Sequence, residues 1–107
     1  MLTVLMRVQY QKAQTNYNKC VYEQDTAQRT LNDIKERMDA VETAAAANGT
    51  DCRQSASYQE LAAIQSTYDE KIESLNTRIE YYKNQMASYD NAYKEGVKEV
   101  TSWRCLG

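Results

Sequence analysis

The stretch AQRTLNDIKERMDAVETAA at residues 27–45 decides the fold. Its apolar side chains recur at alternating spacings of four and three residues, which is typical of a helix face that packs along another helix. The spacing continues back to Met6 without a break, and Gln24 is its only polar member. We therefore predict the seam of a first helix at Met6, Tyr10, Ala13, Tyr17, Cys20, Gln24, Ala27, Leu31, Ile34, Met38, Val41 and Ala45.

The second half of the chain repeats this pattern, with Gln65 as its only polar position and Gly96 as a merely small one. Two runs of about five to six heptads each indicate two long helices rather than a chance match. The second seam is predicted at Tyr58, Leu61, Gln65, Tyr68, Ile72, Leu75, Ile79, Tyr82, Met86, Tyr89, Tyr93, Gly96, Val100 and Trp103.

The pattern breaks between the two runs. Asn48-Gly49 favours the end of a helix, because Gly accepts the left-handed conformation found there. Ser57 followed by Glu60 matches a capping box at the start of the next helix. We predict an all-α fold with a single domain over residues 1–107, an antiparallel two-helix coiled-coil hairpin that assembles into a larger helical bundle. The first helix covers about 3–47, the bend about 48–56 and the second helix about 57–104.

Two registers of the hairpin fit a bend of this length. In one register, facing residue numbers add to 106, so that Tyr10 faces Gly96 and Ala13 faces Tyr93. We favour this register because small residues then face large ones in several layers. The other is shifted by one heptad to a sum of 99, and it places Tyr17 against Tyr82.

Composition argues against several function classes. The chain has 107 residues, with no Pro and three Gly. Its net charge is only −2, so we expect no nucleic-acid partner. Arg7, Lys12 and Lys19 stand in residues 1–22 without an acid, which we interpret as a solvated face. No apolar run approaches the roughly 20 residues of a membrane span. We expect a cytoplasmic protein, although secretion without a cleaved signal stays open.

The residues needed for catalysis or metal binding are sparse. The chain has no His, which is the commonest general base and metal ligand, and it has no phosphate-binding Gly loop. We predict no enzymatic activity, no cofactor and no metal. The three cysteines are separated along the hairpin, with Cys20 in the seam, Cys52 in the bend and Cys105 near the open end. We therefore expect no disulfide within one chain, whereas a bridge between chains at Cys52 or Cys105 stays open.

The open end carries more apolar residues than a two-helix seam needs. A broad apolar surface at one end of a helical protein is typical of an interaction site. We predict contacts there with a second copy or with another helical protein. The candidate interaction residues are Leu2, Val4, Leu5, Met6, Val8, Val97, Val100, Trp103 and Leu106.

The sequence thus favours a structural or adaptor protein that acts through this open end. Seven of the nine tyrosines fall on the seams, where they serve as core residues or, alternatively, present hydroxyls to another chain. The chain is also similar in size and architecture to small secreted helical hairpins, but their Trp-x-Gly bend is absent. A secretion-linked hairpin (an exported substrate, a chaperone or an export-apparatus stalk) and a phage accessory protein are the alternatives.

Overall fold

A computed structural model of the chain describes the main chain of residues 2–106 and the side chains of residues 4–97. Helix α1 covers Leu2–Ala47, a single 3₁₀ turn covers Cys52–Gln54, and helix α2 covers Ala56–Leu106. The described residues contain no strand. The predicted all-α helical hairpin is therefore confirmed.

Burial along both helices follows the predicted seams. Each seam position with a described side chain is buried or half-buried, including the polar Gln24 and Gln65. Most positions between them are exposed. Burial of one stripe is what holds helices of this length in place, because intrinsic helix propensity alone is a weak source of stability. Val100 and Trp103, the last two predicted seam residues, lie outside the described side chains.

The end of α1 is set by Gly49, which has a positive φ of 70°. The Thr50 amide donates to the carbonyl of Ala45 at 2.9 Å, and the Gly49 amide donates to the carbonyl of Ala46 at 3.2 Å. This pair of bonds is the Schellman arrangement, which satisfies carbonyl groups that have no partner within the helix. The helix stop predicted at Asn48-Gly49 is confirmed.

The start of α2 differs from the capping box predicted at Ser57. The helix begins at Ala56, and its first main-chain bond runs from the Gln59 amide to the carbonyl of Ser55 at 3.1 Å. Ser57 therefore lies inside the first turn, where it cannot act as the residue before the helix. The 3₁₀ turn explains this shift, because it ends at Gln54 and is capped by Ser55, so α2 can begin directly afterwards. The Gln59 side chain donates to the carbonyl of Arg53 in this turn at 3.0 Å.

Contacts divide the hairpin into two units. The bend unit consists of Tyr22–Asn76 and contains the ends of the helices that flank the bend. The open-end unit contains α1 up to Val21 and α2 from Thr77 onward. Five residues form the buried core of the bend unit, and four of them have large side chains: Ala27, Leu31, Ile34, Met38 and Leu75. In the described part of the open-end unit, only Ala13 and Cys20 are buried to this degree.

The register of the hairpin corrects our prediction. Two hydrogen bonds join the helices: Gln24 donates to the side chain of Asn76, and Tyr58 donates to the carboxylate of Glu42. The residue numbers of each pair add to 100. The favoured sum of 106 is wrong, since it would displace Gln24 from Asn76 by roughly 9 Å at 1.5 Å per residue. Both pairs lie within one residue of the register whose facing numbers add to 99, so the register shifted by one heptad is the one observed in the bend unit.

The hydrogen bond of one polar side chain favours this register. Gln24 is a half-buried polar residue, and a buried amide without a hydrogen-bond partner destabilises the fold. Asn76 supplies that partner only in the shifted register. Small residues also face large ones in this register, because a sum of 99 pairs Ala27 with Ile72. Residue volume alone could not separate the two registers.

Candidate open-end interaction surface

We call the predicted interaction residues with described side chains the open-end surface: Val4, Leu5, Met6, Val8 and Val97. Val4 is 65% exposed and Leu5 is 50% exposed, and Val8 and Val97 are also exposed. Met6 is half-buried because it belongs to the seam. The predicted residues Leu2, Val100, Trp103 and Leu106 lie outside the described side chains.

Tyr93 of α2 connects the two sides of this surface. It lines a groove of about 340 Å³ together with Val4, Val8, Arg7 and Gln11 of α1. It also lines a second groove of about 430 Å³, whose walls include Val97 one turn further along α2. The structure thus brings Val4, Val8 and Val97 around the ring of Tyr93. From the sequence, Tyr93 is predicted only as a seam residue.

A third groove, of about 300 Å³, lies beside the first and is lined by three tyrosines. Tyr10 comes from α1, and Tyr89 and Tyr93 come from α2. Asp90 stands at the same groove and forms an ion pair with Lys94 at 3.0 Å. Arg7 also lines it and forms no ion pair with another described side chain. The groove therefore combines aromatic rings with one cation that is available to a partner.

These tyrosines reflect a difference in how the seam is filled. Five of the seven seam tyrosines belong to the open-end unit, and all five are half-buried. A Tyr ring carries a large apolar area and a hydroxyl that requires a polar partner or water. A seam of such residues leaves part of each ring at the surface. The five are Tyr10, Tyr17, Tyr82, Tyr89 and Tyr93.

The bend unit has fewer large exposed apolar residues than the described part of the open-end unit. Tyr22 is 73% exposed and stands at a groove of about 150 Å³, which Tyr68 and Lys71 also line. The Lys71 ammonium lies 5.7 Å from the centre of the Tyr68 ring, within the range of a cation–π contact. Ile64 is the other large exposed apolar residue described in this unit.

Tyr58 and Glu42 form the clearest electrostatic pair near the bend. The Tyr58 hydroxyl donates to a Glu42 carboxylate oxygen at 3.0 Å. This hydrogen bond, followed by partial desolvation and the negative charge of Glu42, raises the pKa of Tyr58 above its ordinary value of 10.0. The pair joins α1 to α2 beside the bend, so its chemistry is that of a structural contact.

Among the described side chains, the thiols and the acidic residues form no cluster that resembles a metal site. Cys20 is buried in the seam, Cys52 is half-buried at the bend, and both are free thiols. Cys105 lies outside the described side chains. Across the described part of the chain, no group of three or more Cys, Asp or Glu residues could hold a metal ion.

The places of Tyr93 at the centre of the open-end surface and of Arg7 on its groove were not predicted from the sequence. The signal was present in the clustering of seam tyrosines toward the two ends of the chain. Nowhere among the described residues is a helix long and apolar enough to cross a membrane. Comparisons with protein-family models, with curated proteins and with solved structures gave no significant match to this chain.

Proposed function

We propose that this chain is a non-enzymatic structural or adaptor protein that packs its open-end surface against helices of another polypeptide. The partner is a second copy of the chain or a different helical protein. One observation carries the proposal. Among the described side chains, six of the eight large exposed apolar residues belong to the open-end unit. They are Val4, Leu5, Val8, Val21, Tyr81 and Val97.

The packing of the two units supports the same conclusion. The described open-end unit buries only small side chains fully and leaves its tyrosines half-exposed. A partner helix that covered these rings and the neighbouring valines would complete the core that the two helices leave unfinished. Full burial of a large apolar side chain contributes about 1.5–3 kcal/mol, so a few such residues suffice for a specific contact. Small helical proteins commonly gain stability in this way.

The absence of His from the whole sequence supports a non-enzymatic role. General acid–base catalysis uses His most often, and nucleophilic Ser or Cys residues are commonly activated by it. The polar groups of the open-end grooves belong to Gln, Asn and Tyr side chains, to the Asp90–Lys94 ion pair, and to Arg7 and Glu95. Such groups are suited to orienting a partner helix through hydrogen bonds at the rim of an apolar contact.

The experiment is a pair of Ser substitutions on the open-end surface. Sedimentation of the wild-type chain over a range of concentrations should show association, and Leu5→Ser with Val8→Ser should weaken that association at least tenfold. Ile64→Ser is the matched control, because it removes an exposed apolar side chain from the bend unit and should leave association unchanged. A wild-type chain that associates, and a double Ser variant that associates to the same extent, would contradict the proposal.

A further inference from the structure

The charges of the chain separate between the two units. Over the described residues of the open-end unit, 4–21 and 77–97, six basic and three acidic residues give a net charge of +3. Over residues 22–76 of the bend unit, five basic and eleven acidic residues give −6. A nearly neutral protein thus carries one basic and one acidic unit, and opposite potentials of this kind guide association between proteins.

The basic side of this asymmetry is concentrated on α1. Residues 4–21 contain Arg7, Lys12 and Lys19 and no acid. None of these three cations forms an ion pair with another described side chain. Lys12 and Lys19 are exposed, as are Leu5 and Val8 earlier in the same helix. A helical surface with unpaired cations beside apolar side chains favours an acidic partner.

The acidic half of the same helix provides that chemistry. Residues 22–47 contain six acidic and three basic residues. Asp25 pairs with Arg29 at 3.1 Å, and Asp33 pairs with Arg37 at 3.2 Å. The Glu36 and Asp39 side chains are exposed and belong to neither ion pair.

Small residues accompany these unpaired carboxylates. Ala40 and Ala44, further along the helix, are exposed. They leave room for larger apolar side chains such as Leu5 and Val8.

We propose that the partner is a second copy of this chain, whose acidic half of α1 receives the basic half of α1 from the first copy. This inference rests on the proposed function and names its partner. Lys12 and Lys19 of one copy then lie against Glu36 and Asp39 of the other, and Leu5 and Val8 pack on the exposed alanines. When each copy both gives and receives this contact, the product is a closed dimer. When two copies cannot make both contacts with each other, the same contact joins further copies into longer arrays.

Charge reversal tests the inference directly. Lys12→Glu with Lys19→Glu should weaken self-association about tenfold or more, because like charges then face each other across the contact. Glu36→Lys with Asp39→Lys should weaken it to a similar degree. An equimolar mixture of the two variants should associate again, since the reversed surfaces complement each other. Sedimentation at low salt gives the readout, and circular dichroism establishes that each variant keeps its helices.

The matched control changes the same number of charges in the same unit but on α2. Arg78 and Lys83 are exposed there. Arg78→Glu with Lys83→Glu should weaken association much less than the Lys12 and Lys19 pair does, because neither side chain belongs to the proposed contact and charges across solvent interact more weakly than charges in contact.

The outcomes separate the inference from the proposed function. If self-association is unchanged in both charge-reversal variants but is lost in the double Ser variant, the inference is overturned, and the open-end surface remains a contact. Failure of the mixed variants to associate overturns it as well. A wild-type chain that stays monomeric at every concentration rules out the second copy and leaves a different helical protein as the partner.

Discussion

The bend unit and the open-end unit share one seam pattern but fill it differently. Large aliphatic side chains are buried in the bend unit, where Leu31 and Leu75 are each only 3% exposed. In the open-end unit the equivalent positions hold tyrosines such as Tyr10 and Tyr89, which remain half-buried. The periodicity of a helix pair therefore sets which residues face inward, whereas their chemistry sets how completely two helices bury them. We infer that the bend unit carries most of the stability and the open-end unit most of the contact surface.

Two methionines test this difference with the same substitution. Met38 is buried in the bend unit, and Met86 is half-buried in the open-end unit. Met38→Ala should lower the free energy of unfolding by about 2–3 kcal/mol, since removing buried methylene groups leaves a cavity. Met86→Ala should cost about 1 kcal/mol, because its site is already partly hydrated. Urea unfolding of both variants measures the difference, and equal losses would contradict the contrast between the units.

Gly49 tests whether the bend unit depends on its helix stop. Its φ of 70° is in the left-handed region, and an added methyl group would meet no atom within 4 Å. Gly49→Ala should therefore destabilise the chain by about 1 kcal/mol through backbone strain alone. Gly49→Asn is the control and should cost less, because Asn tolerates this conformation better. Thermal unfolding of the two variants gives the comparison, and an unchanged midpoint for Gly49→Ala would be the opposite result.

The smallest expected effect concerns the Tyr58–Glu42 contact. The pKa of Tyr58 is raised in the folded chain, chiefly by the hydrogen bond to Glu42. The contact therefore stabilises the fold fully below the unfolded value of about 10, and this contribution is lost as the pH rises through the raised pKa. Glu42→Gln should bring the pKa of Tyr58 back toward its ordinary value.

Nuclear magnetic resonance of ring-labelled tyrosine follows this titration, with Tyr58→Phe used to assign the signal. A Tyr58 titration that is the same in the wild-type chain and in Glu42→Gln would show that the contact has no role in solution.

The sequence predicted the helices and their inward faces, because a period that persists through two long runs leaves few other folds. It also predicted the helix stop, since a Gly after an alanine run has one evident structural use. The register was harder to predict. Pairing Tyr10 with Gly96 satisfied a volume argument, but the decisive contact was the amide of Gln24 with Asn76. The partner of one polar side chain cannot be read from a repeating apolar pattern.

The cap of α2 was missed for a related reason, although the start predicted at about residue 57 lies within one residue of Ala56. Ser57 and Glu60 match the capping pattern, yet Ser55 two residues earlier occupies the position before the helix. The 3₁₀ turn that selects Ser55 depends on Asp51, whose carboxylate accepts from the amide of Arg53 at 3.0 Å. The role of Tyr93 could not be predicted either, because the sequence assigns it to the seam without showing how much of its ring remains at the surface.

Hydrogen exchange resolved by residue tests the central claim most directly. In dilute solution, amides around Leu31 and Leu75 should exchange far more slowly than amides around Tyr10 and Tyr89, because local opening is easiest where little large apolar surface is buried. Raising the protein concentration should then slow exchange mainly in the open-end unit, as a second chain covers its exposed side chains. Equal protection in both units, unchanged by concentration, would contradict the account.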